Sequence, residues 1–106
     1  MNPSSGGSMI VLDPKDVEEQ YAIEFQFSAV LEEVTSAVVI VELLTGSDLS
    51  PDSLLNGPLQ IKGTSVYQRI KAGVNDCTYK LRCVAKDANN ADETYVLTAS
   101  IGVVAA

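Results

Sequence analysis

Thr78-Tyr79-Lys80-Leu81-Arg82-Cys83-Val84-Ala85-Lys86 alternates between two kinds of side chain. Tyr79, Leu81, Cys83 and Ala85 fall on one side. Lys80, Arg82 and Lys86 fall on the other, with Val84 the exception. Successive strand residues point to opposite faces, so this period of two predicts a β-strand with one face in a core and one in water. Residues 93–104 repeat the pattern, with Tyr95, Leu97, Ala99 and Ile101 in phase and Gly102 expected to bend or bulge the strand. Between the two runs, Asp87-Ala88-Asn89-Asn90 has hairpin chemistry, because asparagine tolerates positive φ.

Upstream, Val66, Gln68 and Ile70 oppose Tyr67, Arg69 and Lys71, which predicts a strand over residues 66–71. A turn follows at residues 72–76, which include Gly73 and Asn75, and residues 59–62 form a further short strand. Residues 45–58 are dense in glycine, proline, aspartate and asparagine and predict a loop, with a brief turn at Leu54-Leu55. Residues 37–44 are β-branched and almost continuously apolar, which predicts a central strand. Val39, Val41 and Leu43 are as apolar as Val38, Ile40 and Leu44, so both inward parities stay open. Tyr21, Ile23, Phe25 and Phe27 alternate with Ala22, Glu24, Gln26 and Ser28, another half-buried strand. Residues 29–36 predict a connection. Asp13-Pro14-Lys15-Asp16 has the chemistry of a helix start, Asp13 as N-cap and Pro14 at the first position, with about one turn to follow. With no substantial helix, the order predicts an all-β fold, an antiparallel β-sandwich of about seven strands.

The chain has 106 residues, 46% of them hydrophobic, which suits one domain over residues 9–106. Residues 1–8, Met-Asn-Pro-Ser-Ser-Gly-Gly-Ser, predict a flexible leader, with Met9 as an internal start or a junction. No apolar run approaches the roughly 18 to 20 residues a membrane helix needs, so no membrane partner is expected. The absence of histidine removes the usual general base, the Ser-His-Asp and Cys-His arrangements and imidazole-ligated zinc. A net charge of −7 argues against a nucleic-acid partner, because phosphate binding needs clustered lysine and arginine. The charge is uneven: residues 1–53 carry ten acids and one base, and residues 54–106 four acids and six bases. If the fold separates the halves, copies could pair head to tail as a homo-oligomer. If it interleaves them, the asymmetry averages out.

No group of residues predicts catalysis or a cofactor. Glu18-Glu19 and Glu32-Glu33 are adjacent pairs, whose members point to opposite sides of a strand rather than across a cleft. Residues 87–93 are rich in oxygen ligands but lack the spacing and the glycine of an EF-hand loop. Cys77 and Cys83 lie six residues apart in one strand, about 20 Å by strand rise, whereas a disulfide needs less than about 7 Å. Both are expected as free thiols, Cys83 in the core and Cys77, nearer the turn, the more reactive. The candidate interaction surface is basic. Lys80, Arg82 and Lys86 share a strand face, and Arg69 and Lys71 extend it if the two strands share a sheet.

Residues 78–85 also resemble the sixth strand of immunoglobulin-like domains, where a tyrosine ties down the preceding corner. Tyr79 fills that place, while the tryptophan and inter-sheet disulfide of antibody domains are missing. The wider pattern is similar to small immunoglobulin-like virion proteins of tailed phages and prophages, of the neck or fiber–tail adaptor type. It runs through Leu12-Asp13-Pro14-Lys15-Asp16, Tyr21-Ala22-Ile23-Glu24-Phe25, residues 65–74, residues 78–85 and residues 95–103. Asn89-Asn90 departs from the glycine common at that turn in the group. The resemblance implies an immunoglobulin-like fold and a structural, non-catalytic role. The chain would dock to other virion proteins, in the virion and, during assembly, in the bacterial cytoplasm. The alternative is a capsid-decoration or receptor- or carbohydrate-binding module acting through residues 45–58 or 87–93.

Overall fold

The computed structural model describes residues 9–87 and 93–105. Residues 1–8, expected as a leader, and residues 88–92, the middle of the expected hairpin and of the oxygen-rich run over 87–93, lie outside the described residues. The strands are β1 (Ile10–Val11), β2 (Lys15–Asp16), β3 (Tyr21–Gln26), β4 (Ser36–Thr45), β5 (Gln60–Lys62), β6 (Ser65–Ile70), β7 (Cys77–Lys86) and β8 (Thr94–Val104). They form two sheets. The larger runs β1-β8-β7-β4, with β2 also on β8, and the smaller runs β3-β6-β5. The chain passes from the small sheet to the large one between β3 and β4, returns before β5, and crosses again between β6 and β7. The inner faces pack on each other as an all-β sandwich.

β7 is the spine. It pairs antiparallel with β4 on one edge and β8 on the other along its length. Cys77, Tyr79, Leu81, Cys83 and Ala85 all face the core and are buried. Ile23 and Phe25 of β3 and Val66 and Ile70 of β6 cover them from the other sheet, with Phe27, Leu31 and Val34 closing one end. β4 turns Val39 and Val41 inward and leaves Val38 and Ile40 half exposed, the parity its sequence leaves open.

Three local expectations are corrected. Asp13-Pro14 begins no helix: Lys15 and Asp16 are extended and pair parallel with Val103 and Val104 of β8. Bonding to a sheet edge satisfies more backbone groups than a single isolated turn could. β1 is also parallel to β8, so the sandwich is antiparallel except along this edge. Gly102 causes no bulge, since the β7–β8 register is continuous. The irregularity lies instead in β4, between Leu43 and Thr45. The loop over residues 45–58 contains a 3-10 turn at Pro51–Leu54 whose Leu54 is fully buried.

The corner between β6 and β7 is held from several sides. Ala72 and Asp76 adopt positive φ, 53° and 67°, a region that costs a residue with a Cβ about 1 kcal/mol or more. The Tyr79 hydroxyl accepts from the Val74 N–H (2.9 Å) and donates to Asp48 Oδ2 (2.7 Å). Lys15, buried, donates its ammonium to the carbonyls of Ala72 (2.6 Å) and Asp16 (2.8 Å). Burial lowers the Lys15 pKa, against the opposing pull of Glu19 and Asp16. Gly73, at φ 91°, passes so close to β8 that a Cβ would meet Val103 Cγ2 at 2.8 Å.

Two substitutions test this corner. Tyr79→Phe, which leaves the Val74 N–H and the Asp48 carboxylate without their shared partner, lowers unfolding free energy in urea by about 1–2 kcal/mol. Lys15→Met preserves the apolar stem but removes two charge-assisted bonds, and lowers it by about 2 kcal/mol in the same measurement.

Candidate functional site

The basic surface expected from sequence divides in two. Lys80, Arg82 and Lys86 lie on the outer face of β7 in the large sheet. Arg69 lies on β6 in the small sheet, and Lys71 just beyond it, so these two do not extend the stripe. The condition that the two strands share a sheet is not met, because the crossing after Ile70 carries the chain to the opposite layer.

Cross-strand neighbours give the large sheet's outer face a mixed character. Lys80 stands opposite Glu42 and forms an ion pair at 3.4 Å. Arg82 lies between Ile40 and Thr98, and Val84 between Val38 and Val96. An apolar row therefore crosses three strands beside the basic residues. The acidic and basic halves of the sequence interleave, since each sheet draws strands from both.

The outer face of the small sheet carries a groove of about 310 Å³ lined by Ala22, Pro58, Gln60, Lys62, Tyr67 and Arg69. The Lys62 ammonium stands 5.5 Å from the centroid of the Tyr67 ring. Beside the groove, Ser65 donates to Glu24 (2.6 Å) and Gln26 donates to Ser65 (2.8 Å).

A third feature was not anticipated from the sequence. Among the described residues β3 is paired on one side only, and two clefts run beside its other edge, sharing Leu12 and Ile23. One, of about 210 Å³, is lined by Ile10, Leu12, Ile23, Glu24, Phe25 and Ala99. The other, of about 350 Å³, is lined by Leu12, Asp13, Pro14, Glu19, Tyr21 and Ile23. The seam exists because β1 and β2 both attach to β8 and leave β3 uncovered. Its only advance signal is the brevity of the apolar pieces before Tyr21.

Among the described residues, no three histidine, cysteine or carboxylate side chains come together to hold a metal. Glu18, Glu19, Glu32 and Glu33 are exposed. Both cysteines are free and buried. Cys77, expected to be open, is only 2% exposed, because its Sγ packs against the close approach of Gly46. Burial pushes the Cys83 thiol up to about 12. No family model, no curated protein and no solved structure matches the chain.

The Cys83 shift fixes an alkaline response. The unfolded thiol ionises near its ordinary value of 9.0, whereas the folded one holds its proton to about 12. The unfolded state therefore loses the proton first. This contribution to stability is complete below pH 9 and is lost as pH rises towards 12. Tyr79, also raised above its ordinary 10.0 by burial and by its bond to Asp48, adds in the same direction. Urea midpoints are expected to fall steadily above pH 9, and a Cys83→Ala variant to show a shallower fall.

Proposed function

We propose that this chain is a non-catalytic docking module of immunoglobulin-like type, a structural component of a phage or prophage particle that binds other virion proteins. The observation that carries the reading is the tyrosine-tied corner in its strand context. Tyr79 sits near the start of β7, the fifth strand from Tyr21 onward and the sixth when the β1–β2 edge segment is counted as the first, and its hydroxyl bonds back to the Val74 backbone. Immunoglobulin domains place such a tyrosine at the corner before the strand that pairs with both the third and the last. Here β7 pairs with β4 and β8, and β6 lies between β3 and β5, the order that such domains use.

The surfaces suit docking. The half-exposed Val38 and Ile40, the split basic residues and the open edge of β3 are features that bind by complementarity. The test is electron microscopy of the parent particle carrying a tagged copy of the chain. Extra density at a defined place in the neck, tail or fiber attachment supports the reading, and its absence from purified particles overturns it.

The small sheet's groove favours the alternative, a receptor- or carbohydrate-binding module. Tyr67, Arg69, Gln60 and Lys62 combine a ring with hydrogen-bond donors on a sheet face rather than in the loops expected to bind. Binding on a glycan array that is lost in Tyr67→Ala would establish that alternative.

A further inference from the structure

We propose that the open edge of β3 captures an extended segment of a partner protein in which apolar residues alternate with lysine or arginine, adding it as a fourth strand to the small sheet. The inference deepens the docking role just proposed and rests on it.

The backbone of β3 supplies the template. The Phe27 N–H donates to the Thr64 carbonyl (2.8 Å), which sets the odd-numbered residues of β3 as those bonded to β6. On β6, the Arg69 carbonyl accepts from the Asn56 N–H (2.9 Å), so Arg69, the partner of Ala22, bonds away from β3. Ala22, Glu24 and Gln26 therefore direct their N–H and C=O groups outward, as alternation in an antiparallel ladder requires. Among the described residues, no backbone group bonds to them there.

The other edges are short or, in β4, interrupted after a continuous run over residues 36–43. β4 carries an irregularity between Leu43 and Thr45. β5 has three residues, and β1 and β2 have two each. Short strands and bulges are the usual means of blunting an edge. β3 has six residues in unbroken register, with no proline and no lysine.

The seam also specifies side chains. A strand laid beside β3 puts alternate residues on the same face as Tyr21, Ile23 and Phe25. Those residues enter the clefts between β3 and the β1 segment, against Ile10, Leu12 and Ala99. The intervening residues lie next to Glu24 on the outer face of β3, with Arg69 of β6 one strand further away. Asp13 and Glu19 line the far end, and neither cleft is lined by lysine or arginine. The negative field is felt locally: after burial, Glu19 and Asp13 are what raise the pKa of Tyr21. Apolar inward and basic outward is thus the complement of this edge. Residues 1–8 of the chain do not supply it, since they contain no lysine or arginine.

The probe is a short synthetic peptide of alternating valine and lysine, titrated into the full chain. A valine–glutamate peptide and a peptide of the same valine–lysine composition in two blocks serve as controls. Saturable binding of the alternating basic peptide alone is expected, with new hydrogen-exchange protection at the amides of Ala22, Glu24 and Gln26. Ala22→Pro removes an outward N–H without touching the β6 ladder, and is expected to weaken binding about tenfold at an unchanged urea midpoint. Glu24→Lys should weaken it too, most strongly at low salt. Protection that appears on β4 instead, equal binding of the block peptide, or no binding overturns strand addition at β3. The protection pattern in the unsubstituted chain decides the matter even if Ala22→Pro proves unstable. Absence of the chain from the particle, with peptide capture intact, instead overturns the virion reading.

Discussion

The structure depends on the register of β7. This strand pairs with β8 over Cys77–Lys86 and with β4 over Thr78–Lys86, and every second side chain is buried. A slip of one residue would drive Lys80, Arg82 and Lys86 into the core and expel Tyr79, Leu81 and Cys83. Because β4 and β8 are both aligned to β7, the large sheet inherits that register. The small sheet then packs Ile23, Phe25, Val66 and Ile70 onto its inner face.

The corner leading into β7 turns that register into a three-dimensional constraint. Ala72 and Asp76 tolerate positive φ because the groups around them are spoken for. Tyr79 takes the Val74 N–H, Lys15 takes the Ala72 carbonyl, and the Asp76 N–H donates to Val103 (2.8 Å). Lys15 comes from the N-terminal segment and Asp48 from the long loop, so a single corner joins distant parts of the chain. Burying an ammonium is costly, and the two carbonyls it satisfies are what offset the cost.

The same attachment explains the exposed surfaces. Drawn onto β8 by parallel pairing, and by Lys15 reaching Ala72, β1 and β2 complete the large sheet and leave the small one a strand short on the β3 side. Unpaired backbone groups, flanking apolar clefts and an acidic rim thus follow from where a few N-terminal residues find their partners. The split of the basic residues has a similar origin. Arg69 and Lys80 lie eleven positions apart in sequence, but one crossing between layers puts them on opposite faces of the molecule.

Much of the fold was legible because alternation is a local signal. The strands over residues 21–26, 65–70, 77–86 and 94–104, the long loop and the free thiols all follow from side-chain period, turn chemistry and reach. The inward face of β4 was not legible, since both of its faces are apolar and only pairing with β7 chooses between them. Lys15 read as part of a helix start, because its two carbonyl partners include one 57 residues away. The candidate site was legible as chemistry and not as placement: Arg69, Lys71, Lys80, Arg82 and Lys86 were identifiable as bases, but their division between two sheets was not. The sequence by itself determined which residues alternate and therefore that the chain builds sheets. Only the tertiary structure decided which edges are covered and which charges share a face, because hydrogen bonds between strands and packing between layers join residues that no local pattern relates.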